Sequence, residues 1–341
     1  MYTEKPLTHD ISEARLLTEA EQRYKVVTQM GNQGSSGDDT RRVEAWIQQG
    51  LIGTVETVHV WTNRPVWPQG VSTPTGTSAV PAELDWNLWL GTAAWREYNP
   101  AYLPATWRGW WPFGTGALGD MGCHFMDVPF RALKLGYPES VECSVGGVYS
   151  GFFVEAEYPD SCPPSSKIHI QFPARETMPA VELIWYDGGI LPKRPAELLP
   201  DEEMAEQDGG IIFEGSKGKI IAGLFGRNPK LLPTRLMKEA SLPAPTRPLV
   251  AGGPEGHQNQ WTAACKQGWG AATSSPFSLA GPLTETVLMG NLAIRSYLHR
   301  VTTGSRNSYP GRKKLLWDGK AMRITNFEPA NRFVRREYRP F

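Results

Sequence analysis

The chain has 341 residues, and its 35 Lys+Arg balance its 35 Asp+Glu, giving a formal net charge of zero. That balance leaves no electrostatic footprint for a nucleic acid or an anionic membrane, and no stretch approaches the ~18 apolar residues of a membrane span. The length implies roughly two domains with a sizeable core, while 35 Gly and 29 Pro imply many turns and long ordered loops.

The first residues, Met1 to Pro6, carry neither the basic nor the apolar region of a secretion signal. A cytoplasmic location is expected for the chain as it stands, or export if a signal precedes it. Residues 1–7 read as a short strand. Asp10 or Ser12 then caps a helix over 11–23, where Ile11, Ala14, Leu17 and Ala20 follow a helical period. The β-branched run Lys25 to Met30 reads as a second strand. Strand, helix, strand is the unit of a parallel sheet. Gly34 to Asp39 forms a turn, and a helix over 38–49 presents Val43, Trp46 and Ile47 on one face. Residues 54–61 alternate like a half-buried strand, and the domain boundary is placed there: 1–53, then 54–341.

Residues 62–118 read mostly as loop, rich in proline and tryptophan, around a short amphipathic segment 85–90. A helix follows over 119–136, with Pro129 tolerated as a kink or after a tight first turn. Strands are expected near 139–149, 166–172, 180–186, 211–214 and 218–223, with Gly215 to Gly218 as an antiparallel turn. Helices are expected near 256–267 and 282–301, and a hairpin-like tail reaches Ile324. The cysteines Cys123, Cys143, Cys162 and Cys265 are widely spaced and read as buried free thiols.

Two clusters carry chemistry. Glu4-Lys5-Pro6 ends the opening strand, and ligands of parallel sheets gather at the carboxyl ends of strands. Pro6 restricts Lys5 away from the helical region. By spacing alone Lys5 reads sooner as an ordinary surface lysine before a turn, because three residues are a weak signal. In Gly119 to Asp127, Asp120 and His124 stand at i and i+4 and share a helix face. A histidine there suits proton transfer from an alcohol, Asp120 suits a substrate hydroxyl, and Asp127 suits support of the pair. A capped helix start with a core histidine accounts for the same residues. Asp120 and His124 are also possible zinc ligands, but a third ligand would have to come from elsewhere, and no metal is expected.

In order and spacing, Glu4-Lys5-Pro6, the run Gln29 to Gln33, Asp85 to Gly91, Trp107 to Trp111, Gly114 to Asp127, Trp261 to Gly268 and Leu283-Thr284-Glu285 resemble the Gfo/Idh/MocA oxidoreductases. The resemblance implies an α/β then α+β fold, in which a partial Rossmann-type parallel sheet is followed by a C-terminal domain with a large open, mainly antiparallel sheet. It implies NAD or NADP as cofactor and a small carbohydrate or polyol as substrate, with no nucleic acid or membrane partner. It implies a homo-oligomer through the open sheet. Lys5, Asp120 and His124 become the catalytic candidates, and Glu4, Lys5, Pro6 and Gln33 the cofactor-binding ones. Trp107, Arg108, Trp110 and His257 are candidates for the substrate pocket. The family's opening G-x-G-x-x-G, which cradles pyrophosphate at a helix N-terminus, has no counterpart before Lys5, so most of the nucleotide-binding half is expected to be missing. Three functions follow: an oxidoreductase acting on a sugar, polyol or glycoside hydroxyl, a glycosidase working by transient oxidation and elimination, or a cofactor-free partner subunit.

Overall fold

The computed structural model describes residues 1–304 and 306–340. In chain order the strands are β1 (Tyr2–Glu4), β2 (Gln29–Gly31), β3 (Val55–Thr62), β4 (Ser140–Val145), β5 (Tyr149–Gly151), β6 (Val154–Glu155), β7 (Ser166–Phe172), β8 (Val181–Tyr186), β9 (Gly209–Gly215), β10 (Gly218–Ala222), β11 (Lys230–Leu232), β12 (Val301–Thr303), β13 (Arg306–Ser308), β14 (Leu315–Asp318) and β15 (Arg323–Ile324). The helices are α1 (Ile11–Tyr24), α2 (Asp38–Gln48), α3 (Trp86–Leu90), α4 (Gly116–Phe125), α5 (Asp127–Ala132), α6 (Leu236–Glu239), α7 (His257–Gln267) and α8 (Phe277–Tyr297).

β1 and β2 form a small parallel sheet with Glu4 opposite Gly31. A nine-stranded sheet runs in the order β11-β10-β9-β3-β8-β7-β4-β14-β15. β3 and β8 are its parallel pair, and the other neighbours are antiparallel. The expected architecture, a partial parallel sheet followed by a large, mainly antiparallel one, is therefore present. Period-two burial sets the sheet's faces: Ile168, Ile170 and Phe172 of β7 point into the core, while Lys167, His169 and Gln171 point out. The outward face is mixed: His169 Nδ1 lies 2.9 Å from Glu182 Oε1 and His59 Nδ1 3.0 Å from Tyr186 Oη, while Ile184, Ile212, Ile221 and Leu232 form a second buried apolar cluster with Trp61 and Leu198.

α8 fills the inward face with Leu283, Val287 and Leu292, packed with Leu118 and Met121 of α4 and Ile168 of β7. A Cβ added at Gly122 would lie 2.8 Å from Val287 Cγ2, so α4 and α8 approach to a distance that glycine permits. The first turn of α8 has no side-chain cap of its own, because Pro276 stands at its N-cap. The buried Glu21 carboxylate of α1 replaces it, accepting from Phe277 N at 2.9 Å and Ser278 N at 2.7 Å. α1 is closed at its start by a capping box between Asp10 and Glu13.

Several boundaries differ from the sequence reading. The second strand covers only 29–31, because Lys25 turns left-handed (φ 51°) to close α1. The helix expected over 119–136 is two helices divided at Met126. Pro129 has no N–H to offer the Phe125 carbonyl and sits in the first turn of α5. The helix expected from 282 begins at Phe277 and carries Pro282 inside it. The stretch 139–149 divides into β4 and β5. All four cysteines are free as expected, but Cys265 is exposed and Cys143 only partly covered.

Candidate active site

β1 and β2 end side by side, so Glu4-Lys5 and Asn32-Gln33 leave the small sheet together. The Lys5–Pro6 peptide is cis. Lys5 reaches α4, with Nζ 3.0 Å from Asp120 Oδ1 and also donating to the Asp120 carbonyl. Arg108, from the turn before α4, donates from Nε to the same Oδ1 at 3.1 Å. Asp120 is thus clamped between two cations. Burial alone would raise its carboxyl, but the Lys5 ammonium and the Arg108 guanidinium more than offset that and hold it below the usual carboxylate range.

His124 lies one turn further along α4. Burial pushes its imidazole down to about 3, the nearby Lys5 charge adds to the effect, and Asp120 opposes it. The ring is therefore neutral at pH 7, and its buried Nδ1 has no hydrogen-bond partner among the described residues. Phe225 packs edge-on against it at 5.0 Å between centroids. Phe225 itself holds φ 60°, unusual for an aromatic residue, and lies over Gly34, where a Cβ would come within 2.3 Å of its ring. Asn32 donates to the Cys123 carbonyl at 3.4 Å, while its buried Oδ1 is likewise unpartnered. Sequence reasoning missed Asn32 and Phe225. Only the strand-end position of Asn32 offered a signal.

The remaining candidates separate. Glu4 is exposed, its carboxylate lying against the Gly31 backbone, and Gln33 is half-buried at the end of β2. Trp107 is half-buried, with the Arg108 guanidinium 4.7 Å above its ring. Trp110 belongs to an aromatic cluster with Trp86, Tyr98 and Tyr102, and its indole N–H donates to the Ala101 carbonyl at 3.1 Å. His257 is fully buried, with Nδ1 2.7 Å from Ser36 Oγ and Nε2 2.8 Å from the Met30 carbonyl. Both its ring nitrogens are engaged within the fold. Asp127 does not support His124 directly: it is a buried partner of Arg131 (3.1 Å) and Ser35 (2.7 Å).

The two orphaned polar atoms, Asn32 Oδ1 and His124 Nδ1, and the donor Lys5 fit the amide-bearing nicotinamide end of a dinucleotide. A pyrophosphate cradle does not appear among the described residues. The glycine-containing turn before α2 leads into Asp38 and Asp39, whose charges oppose a phosphate at that helix start. Among the described residues no group of His, Cys, Asp and Glu is disposed to hold a metal ion, and no helix is long and apolar enough to cross a membrane.

Residues 38–143 match the family model described as "Oxidoreductase family, C-terminal alpha/beta domain" of the Gfo/Idh/MocA proteins. The chain resembles that family, and the matched stretch holds Arg108, Asp120 and His124. Solved structures similar to it include an inositol dehydrogenase homolog from Azotobacter vinelandii complexed with NADH and myo-inositol (14% identity, 85% of this chain and 68% of that one, TM-score 0.48). The WlbA dehydrogenase from Bordetella pertussis in complex with NADH and UDP-GlcNAcA is 15% identical over 85% of this chain and 67% of that one, with a TM-score of 0.48. A levoglucosan dehydrogenase in complex with NADH and levoglucosan is 13% identical over 85% of this chain and 71% of that one, also at a TM-score of 0.48. No curated protein matches the chain.

Proposed function

We propose that this protein is an NAD- or NADP-dependent oxidoreductase acting on a hydroxyl of a sugar, polyol or glycoside. The observation that carries the reading is the convergence of Lys5 on Asp120, one helical turn from a neutral, unpartnered His124. The match over 38–143 to an oxidoreductase family supports it. Bound nicotinamide would supply the hydride acceptor, resting on the edge formed by Glu4, Lys5, Pro6 and Gln33.

The chain's own groups do the rest. An ammonium has three N–H donors. Two of those on Lys5 point to Asp120, which leaves the third for a substrate hydroxyl oxygen. Asp120 Oδ1 takes both cations, and Oδ2 is left to accept a hydrogen bond from a neighbouring hydroxyl. His124 is in its proton-accepting form. A weak base suffices there, because a hydroxyl proton becomes strongly acidic as its carbon loses hydride. The half-buried setting limits water around the forming carbonyl. The outward face of the large sheet is the surface through which copies would associate.

The test is reduction of NAD+ and NADP+, followed at 340 nm, with a panel of sugars, polyols and glycosides. Substrate-dependent reduction that falls at least a hundredfold in His124→Asn supports the reading. Glycoside cleavage without net reduction points instead to oxidation followed by elimination. Absence of NAD(H) binding in a fluorescence titration overturns both and favours a partner subunit.

A further inference from the structure

A cavity of about 510 Å³ opens away from this cluster, and none of Lys5, Asp120 or His124 lines it. Its walls come from the end of α8, the segment around β6, the chain after β13 and the turn near the C-terminus. The volume falls within the range of small-molecule sites.

Its charge is unbalanced. Arg295, Arg312 and Arg332 all line it, and none makes an ion pair with a carboxylate among the described residues. The two wall carboxylates are held by other wall residues: Glu157 pairs with a fourth arginine, Arg300, and Glu155 accepts from the Tyr309 hydroxyl. Instead of carboxylates, the three guanidiniums have aromatic rings. Arg312 lies 3.7 Å from the Tyr309 centroid and 4.6 Å from that of Tyr297. Arg295 and Arg332 lie 4.1 and 4.6 Å from the centroid of Phe333, so two like charges share one ring. Stacking fixes the plane of a guanidinium and leaves its N–H edge to meet a planar or tetrahedral anion. Burial, with the Arg332 charge beside it, pushes Arg295 down to about 10, as expected where a cation lacks its counter-ion.

We infer that this cavity binds an anionic carbohydrate, a sugar bearing a carboxylate or phosphate group. The arginine edges take the anion, and Trp111, Tyr297 and Phe333 add apolar lining for the carbon skeleton of the sugar. The inference does not depend on the oxidoreductase reading.

Isothermal titration of the full chain at low ionic strength tests it, with glucuronate, glucose 6-phosphate, glucose and inorganic phosphate as separate probes. Glucuronate or glucose 6-phosphate is expected to bind at least tenfold more tightly than glucose or phosphate alone, and which of the two prevails tells carboxylate from phosphate. Arg312 and Arg332 are exposed, so Arg312→Gln with Arg332→Gln should fold and should weaken that binding at least tenfold. Lys5→Ala should leave it unchanged. Equal binding of glucose, equal binding of phosphate alone, no binding of either anionic sugar, insensitivity to the double substitution, or loss of binding in Lys5→Ala would each overturn the proposal.

Discussion

At the scale of the residue, His124 concentrates the chemistry, and two substitutions probe it differently. His124→Asn removes the proton acceptor and is expected to lower turnover by about 10²–10⁴-fold, the usual worth of a general base. Substrate affinity should move less, because Lys5 and Asp120 remain. Phe225→Gly leaves the imidazole in place but removes the ring packed against it, and it relieves a left-handed backbone position. Water then reaches His124, and its pKa should rise from about 3 toward 6.5. Following the His124 ring resonances by NMR across pH measures this directly; an unmoved titration would mean that Lys5, and not burial, holds the ring neutral. The i, i+4 spacing made Asp120 and His124 readable as a pair, because one helix carries both. The closure of Lys5 and Arg108 on one oxygen was not readable as geometry, since it joins three separate segments. Trp110 and Trp107 look alike in sequence, and only packing separates a core ring from a half-exposed one.

At the scale of the element, local signals translated well and distant ones poorly. The capping box fixed the start of α1, and Gly215 to Gly218 joins β9 to β10 in the antiparallel turn expected of it. The parallel pairing of β3 with β8 links residues more than a hundred positions apart, beyond any local pattern. The start of α8 was misread for a related reason: its cap lies on α1, in Glu21. That arrangement makes a prediction. Glu21→Ala leaves the Ser278 amide at the start of α8 without its acceptor, while Phe277 N keeps the Thr28 hydroxyl at 2.8 Å, and should cost about 1 kcal/mol of unfolding free energy in urea titration. Glu21→Gln keeps a side-chain oxygen there and should recover part of the loss. Equal stability of Glu21→Ala and the parent would mean that α8 needs no cap from α1.

At the scale of the whole molecule, the histidines set how the fold responds to acid. Four of the six, His9, His59, His124 and His257, are held below their ordinary value of 6.5, in each case chiefly by burial. Above pH 6.5 they are neutral in both the folded and the unfolded chain, and they cost nothing. As pH falls below 6.5 the unfolded chain takes up protons that the folded chain refuses, so stability falls. The loss continues down to about pH 4 for His9 and about pH 3 for His124. Each contributes a slope of up to about 1.4 kcal/mol per pH unit within its window. Asp187 acts in the opposite sense. Burial raises its carboxyl from 3.8 to about 6, so the folded chain binds that proton first and regains stability as pH falls between those values. The depressed histidines outnumber it, and urea midpoints are expected to fall from about pH 6.5 to pH 5, before most carboxylates titrate. His9→Asn and His124→Asn should each flatten the profile over that range, and Asp187→Asn should steepen it. A profile that stays level to pH 5 in the parent, with both histidine variants superimposed on it, would show that water reaches these rings and that the fold does not hold them neutral.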